Sequence, residues 1–124
     1  MIAKQIQKTQ RKFNEYIRLR DKDKPCISCG RNKIEQAGHY YPAGKYTSVR
    51  FNEDNVHGQC IQCNYFMHGN LIKYRVFLER RIGKEKLAVL DSEATRKIKK
   101  WSLTELIQIY ELYKSKIKSE RNLL

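Results

Sequence analysis

The chain has 124 residues, 40% of them hydrophobic, so it is long enough for one small domain and too apolar to remain disordered. Lys and Arg outnumber Asp and Glu by 26 to 13, a formal net charge of +13 that points to a polyanionic partner. Met1-Ile2-Ala3-Lys4 opens no apolar run and no stretch suits a bilayer, so the expectation is a cytoplasmic protein with no membrane contact and with reduced cysteines.

In chain order, residues 2–22 read as a helix with Ile6, Phe13, Tyr16 and Ile17 near one face and Lys4, Lys8, Arg11, Lys12 and Arg18 on the others. Asp21-Lys22-Asp23-Lys24-Pro25 reads as a helix stop and linker, because Pro25 disfavours helical geometry at Lys24. Residues 36–41 read as a short strand, 42–45 as a turn, 46–54 as an irregular loop and 55–59 as a second strand. On that second strand Asn55, His57 and Gln59 share one face and Val56 and Gly58 the other. A short helix is expected from Asn64 to His68, another over 71–82 ended by Gly83, a third over 84–91, and a fourth from Asp91 or Ser92 to Lys100. Ser102-Leu103-Thr104-Glu105 is a capping box opening the last helix, whose broad apolar face includes Leu103, Leu106, Ile107, Ile109, Tyr110, Tyr113 and Ile117. So small a chain has little core to cover that face, which suggests a homodimer interface there.

All four cysteines fall in two pairs, Cys26-Ile27-Ser28-Cys29 and Cys60-Ile61-Gln62-Cys63, separated by thirty residues. Two residues between cysteines let both sulfurs reach one ion from a tight turn, and Gly30 suits the left-handed position of that turn. Two such turns offer the four thiolates of a closed structural zinc site at Cys26, Cys29, Cys60 and Cys63, and zinc would add folding free energy that a small core lacks. Redox dithiols or disulfides are the alternative, but nothing near either pair resembles a thioredoxin-type unit.

The charge is uneven. Residues 1–25 carry eight basic and three acidic side chains, residues 26–70 four and three, and residues 71–124 fourteen and seven. The centre is nearly neutral and both flanks are basic, as expected of a protein that grips nucleic acid from two sides. Lys8, Arg11, Lys12, Lys45, Arg50, Lys73 and Arg75 are the candidate phosphate contacts, and Tyr41, on the same strand face as His39, is a candidate DNA contact.

The loop between the cysteine pairs contains Ala37-Gly38-His39-Tyr40, then Arg50-Phe51-Asn52-Glu53-Asp54-Asn55-Val56-His57-Gly58-Gln59, and Asn64 directly follows Cys63. This arrangement resembles the HNH, or His-Me finger (ββα-metal), nucleases whose finger is held by four cysteines, and around the second pair it looks similar to phage endonuclease VII. Over Cys26 to about Leu90 it more closely resembles the lambdoid phage NinG family, also called Rap, of recombination nucleases. The resemblance implies an α+β fold over residues 1–124: a basic helix over 1–24, a zinc-stapled ββα finger over 26–70 and a helical region over 71–124. It implies a phage-encoded, metal-dependent endonuclease that cuts branched DNA such as Holliday junctions in the bacterial host. His39 would be the general base, Asn55 its support, and Asn64 a ligand of a catalytic Mg²⁺ or Mn²⁺. Many members of the wider group carry Asp or His just before the base as another metal ligand, and here Gly38 stands there. His57 is the first candidate to fill that vacancy, followed by His68, four residues after Asn64, and by Glu53 or Asp54. The alternatives are a non-catalytic zinc-finger DNA-binding protein and a less selective HNH nicking or restriction-type nuclease. The trio His39, Asn55 and Asn64 speaks against the first, since a binding module has no use for it.

Overall fold

The apolar period over the first residues becomes helix α1, Ile2–Arg20, with Thr9, Phe13, Tyr16 and Ile17 buried. The structure is a computed structural model and describes residues 1–96 and 98–123. After α1 come strand β1, Gln36–His39, and strand β2, Val56–Gln59, which pair antiparallel with Gly38 opposite His57 and Gln36 opposite Gln59. Three helices follow: α2, Leu71–Ile82; α3, Lys84–Arg96; and α4, Leu103–Asn122. The fold is thus mixed α+β, mostly helical around a two-stranded ribbon.

The ribbon separates two apolar clusters. Phe13, Tyr16 and Ile17 of α1 pack with Leu106, Tyr113 and Ile117 of α4 and with Phe51 and Val56, while Ile27 and Val49 pack with Tyr74 and Leu78 of α2 and Leu87, Leu90 and Ala94 of α3. Edge-on contacts of Phe13 with Tyr113 and Phe51, at centroid distances of 4.7 and 5.9 Å, add to the area buried on the first side.

This packing changes the reading of the α4 stripe. Leu106, Tyr113 and Ile117 are covered by α1 of the same chain, so the face assigned to a dimer interface is largely internal. Apolar stripes on two long helices joined to one ribbon bury most cheaply against each other; Ile107 and Leu112 stay outside. The capping box is present, with Ser102 accepting from Glu105 N and Glu105 accepting from Ser102 N.

The linker reading of Asp21 also changes. Its carboxylate is fully buried, is held by Arg20 at 2.8 Å, and accepts the Gly58 N–H of β2 at 2.9 Å. Arg20 donates to the carbonyls of Glu53 and Val56, so the end of α1 is stitched to the second strand. Burial opposes this charge, but the Arg20 partner wins and holds the Asp21 carboxyl below its usual range.

Two helices expected after Gly83 are one. Leu87, Leu90 and Ala94 keep to one face of α3, and Asp91 does not cap a new helix but pairs with Arg75 at 2.8 Å. The expected last turn to Lys100 is absent over 98–100, and Lys97 lies outside the described residues. Instead Lys99 N and Trp101 Nε1 donate to Thr47, tying this connection to the loop between the strands.

Candidate functional site

The two cysteine turns meet. The four Sγ atoms of Cys26, Cys29, Cys60 and Cys63 lie within 4.8 Å of one another, and none is in a disulfide. Four sulfurs about 2.3 Å from a tetrahedral zinc would stand roughly 3.8 Å apart, close to the 4.0 Å between Cys29 and Cys60. Gly30 takes the left-handed conformation the turn requires, at φ 68°. Asn32 N and Nδ2 donate to Cys29 and Cys60, and Asn70 Nδ2 donates to Cys63, which are the bonds that favour thiolates. Burial opposes ionisation at Cys29, but the Asn32 and Arg31 N–H groups prevail and bring its thiol down to about 7. At Cys63 burial dominates and pushes the thiol up to about 12. So packed a cluster of sulfurs suits a cation and is compatible with structural zinc.

His39 ends β1. Its Nε2 lies 2.9 Å from the carbonyl oxygen of Arg50. A carbonyl only accepts, so Nε2 carries the proton and Nδ1 keeps the lone pair. Burial holds the imidazole pKa below 6.5, which keeps it neutral at pH 7. Arg50 is itself anchored, its Nε donating to Gln10 of α1 at 2.8 Å.

Asn55 is fully buried and its side chain hydrogen-bonds to backbone alone: Oδ1 accepts from Tyr41 N at 2.8 Å, and Nδ2 donates to Tyr41 O and Val49 O. It clasps the chain just after His39 to the loop that supplies the Arg50 carbonyl, so it positions that histidine through the loop.

Asn64 does not open a regular helix. Residues Gln62–Phe66 form a single π-helical turn, which ends at Met67, and His68 follows at φ 50°. The four-residue spacing therefore does not place His68 on the helical face of Asn64, and His68 is exposed. Asn64 Nδ2 donates to Gln36 Oε1 at 2.7 Å, which turns Oδ1 towards Gly38. A Cβ on Gly38 would stand 2.9 Å from that oxygen. Asn64 thus neighbours the residue that precedes His39.

His57, opposite Gly38 in the ribbon, is turned to Tyr74. It is 3% exposed, packs edge-on against Tyr74, and has Nδ1 3.3 Å from Tyr74 Oη, which donates to Gly38 O at 2.7 Å. Burial, followed by the nearby Arg20, lowers its pKa to about 3, the behaviour of a neutral core histidine. Glu53 binds Tyr113 and Lys116 of α4, and Asp54 N is capped by Asn52. Among the described residues the four cysteines are the one group of His, Cys, Asp and Glu side chains set to hold an ion.

The candidate DNA contacts differ in how far they are committed to the fold. Lys8, Arg11 and Lys12 line a groove of about 570 Å³ with Arg18 and Tyr110, where Lys8 lies 4.7 Å from the tyrosine ring centre. Lys45 lies beside Tyr46 and Lys73 is exposed. Arg75, in contrast, is clamped by both Asp91 oxygens, and Tyr41 Oη donates to the same carboxylate. Burial and the carboxylate push the Tyr41 phenol up to about 12. Both side chains serve the α2–α3 packing, which the sequence reading missed because Asp91 is distant in the chain.

Gln59 was also missed as a site residue. It is fully buried at the end of β2, and its Nε2 donates to Ser28 Oγ at 2.7 Å and Gly69 O at 2.8 Å. Its Oε1 has no partner and lies 1.7 Å from where a Cβ on Gly38 would be. The sole signal in the sequence was the glycine, which leaves that space open.

The model of the family described as "Bacteriophage Lambda NinG protein" matches residues 2–122. The chain belongs to the NinG family. It is 42% identical over 119 residues to Protein ninG of Escherichia phage lambda, which covers 94% of this chain and 57% of that protein. Protein ninG of Salmonella phage P22 is 41% identical over 120 residues, covering 94% and 58%, and that of Enterobacteria phage H19B is 40% identical over 119, covering 94% and 58%. The chain thus spans under three fifths of the length of these NinG relatives. No solved structure matches it. No described helix is long and apolar enough to cross a membrane.

Proposed function

We propose that this NinG chain is a metal-dependent endonuclease that cuts branched DNA, such as Holliday junctions, in phage recombination within the bacterial host cell. The observation that carries the reading is His39: a neutral imidazole with Nε2 tied to the Arg50 carbonyl and Nδ1 left with its lone pair, one residue from the position that Asn64 Oδ1 faces. That is the disposition of a general base beside a cation ligand. A ribbon followed by a turn bearing Asn64, stapled by cysteines on both sides, supports the comparison with His-Me finger nucleases.

In this reading His39 Nδ1 takes a proton from water, the water oxygen forms the new bond to phosphorus, and the 3′-oxygen leaves. Arg50 O fixes the imidazole tautomer and orientation, and Asn55 holds the loop that presents Arg50 O. A divalent ion, Mg²⁺ or Mn²⁺, held by the Asn64 oxygen, would supply positive charge against the phosphate and the leaving oxygen. Lys8, Arg11, Lys12, Lys45 and Lys73 would bind phosphates, and shape rather than base sequence would select the substrate, because no element resembles a base-reading helix. Zinc on the four cysteines would hold the two halves of the finger together. Two cuts at a four-way junction require two such sites, so the active species is proposed to be a homodimer that meets on a surface other than the α1-facing stripe of α4.

The test is cleavage of synthetic four-way junctions, duplexes and single strands with Mg²⁺ or Mn²⁺. His39→Ala is expected to bind junctions as the parent does and to cut them about 10²–10⁴-fold more slowly. Undiminished cutting by His39→Ala would remove His39 as the base; binding without any cutting by the parent protein would make the chain a DNA-binding module.

A further inference from the structure

The space beside Gly38 is filled from the opposite strand. Gln36, Gly38, His57 and Gln59 share one face of the ribbon, since 36 pairs with 59 and 38 with 57. With no side chain on Gly38, the Gln59 amide lies across the strand and brings Oε1 to within 1.7 Å of the point where a Cβ would sit. Asn64 Oδ1 also comes within 2.9 Å of that point.

The orientation of the Gln59 amide is fixed. Nε2 faces Gly69 O, an obligate acceptor, and Ser28 Oγ, whose own proton goes to Gly69 O at 3.1 Å. Rotating the amide by half a turn would set oxygen against oxygen, so Oε1 must face Gly38. There it is buried with no donor, a condition that costs about 1–3 kcal/mol unless something binds it. Asn64 Oδ1 faces the same point, with Nδ2 donating to Gln36 Oε1 at 2.7 Å.

We infer that Gln59 Oε1 and Asn64 Oδ1 together ligate a divalent cation of the Mg²⁺ or Mn²⁺ class, with Gln59 supplying the ligand that a side chain at Gly38 would otherwise give. The inference deepens the nuclease reading and rests on it for the chemistry the ion serves. Two neutral amide oxygens are hard donors with no formal charge, so the ion binds weakly, and because Gln59 Oε1 is buried its remaining ligands, water and a DNA phosphate, come from the side of the half-buried Asn64. The same geometry couples the ion to the cysteine turns, because Ser28 lies between Cys26 and Cys29 and Gly69 follows the turn that begins at Cys63.

The test is Mn²⁺ titration followed by electron paramagnetic resonance, on the full chain loaded with zinc, alone and bound to a four-way junction made uncleavable by phosphorothioates. One Mn²⁺ per chain beyond the zinc is expected. Gln59→Met should weaken it by about tenfold or more, with zinc content and circular dichroism unchanged. Asn64→Asp should tighten it, since Gln36 can turn its amide to donate, and Gln59→Met should reverse much of that gain. A gain cannot come from misfolding, so this second pair keeps the test decisive if Gln59→Met alone is unstable. Absence of Mn²⁺ in both samples, or equal affinity with and without the Gln59 oxygen, overturns the proposal. If DNA is cut in a His39-dependent way while Gln59→Met leaves Mn²⁺ affinity unmoved, the cation assignment fails and the nuclease reading stands. If Mn²⁺ binding follows Gln59 but no DNA is cut, the reverse holds.

Discussion

The cysteine cluster and the α1–α4 side of the ribbon are built from opposite materials. Around Cys26, Cys29, Cys60 and Cys63 the buried cluster is sulfur alone, fixed by N–H···S bonds from Asn32 and Asn70. Across the ribbon, Phe13, Tyr16, Ile17, Leu106, Tyr113 and Ile117 make an ordinary aromatic and aliphatic core. The first region has little hydrophobic free energy of its own and is compatible with a structural zinc that would supply it; the second depends on area removed from water. His39 sits where the two meet, carried by the ribbon and oriented through Arg50 and Gln10 by α1.

The largest effect should come from the sulfur side. Metal analysis is expected to find about one zinc per chain, and Cys60→Ser or strong chelation should unfold the finger, since structural zinc in small fingers contributes on the order of 10 kcal/mol. Circular dichroism and zinc release read this together. Retention of a fully folded finger without metal would erase the contrast between the regions.

On the aromatic side, Phe13→Ala should cost about 3–5 kcal/mol in urea unfolding while leaving zinc stoichiometry at one per chain. Loss of zinc in that variant would mean that the two regions fold as one unit and that the comparison is one of composition alone.

His57 lies between the regions and tests them by pH. Its folded pKa of about 3 lies below its ordinary 6.5, so the unfolded chain binds the extra proton. Its contribution is present above pH 6.5 and is lost as pH falls towards 3, at up to about 1.4 kcal/mol per pH unit. His39, lowered in the same direction, adds to the slope. His57→Asn should flatten part of the decline in the urea midpoint between pH 7 and 5.5, a range in which zinc content can be followed in parallel. An unchanged slope would assign the acid sensitivity to His39 and the cysteines instead.

The smallest effect is electrostatic. Neutralising Lys8, Arg11 and Lys12 together with Gln should weaken DNA binding and reduce its salt slope by roughly one for each phosphate that the variant no longer neutralises, without moving the cut position or the unfolding midpoint. A shifted midpoint would show that the groove beside Tyr110 is part of the α1–α4 packing, where Lys12 already pairs with Glu15 at 3.1 Å.

Much was legible in the chain itself, for local reasons. The cysteine turns with Gly30, the helix over 71–82 and the Ser102–Glu105 capping box each depend on residues a few positions apart, so spacing alone specified them. The ribbon around His39 was legible for the same reason, as was the membership of the NinG family that the matched residues share. What the sequence could not decide was which side chains face one another across long separations. His57 and Gln59 lie on the same strand face, and alternation alone does not say that Tyr74 covers the first while the second reaches across Gly38. Tyr41 and Arg75 read as free contacts until α3 brings Asp91 to them, and the α4 stripe reads as an interface until α1 covers it. Pattern fixes the face a residue occupies; only the packed chain determines which partner, or which unpaired oxygen, it finds there.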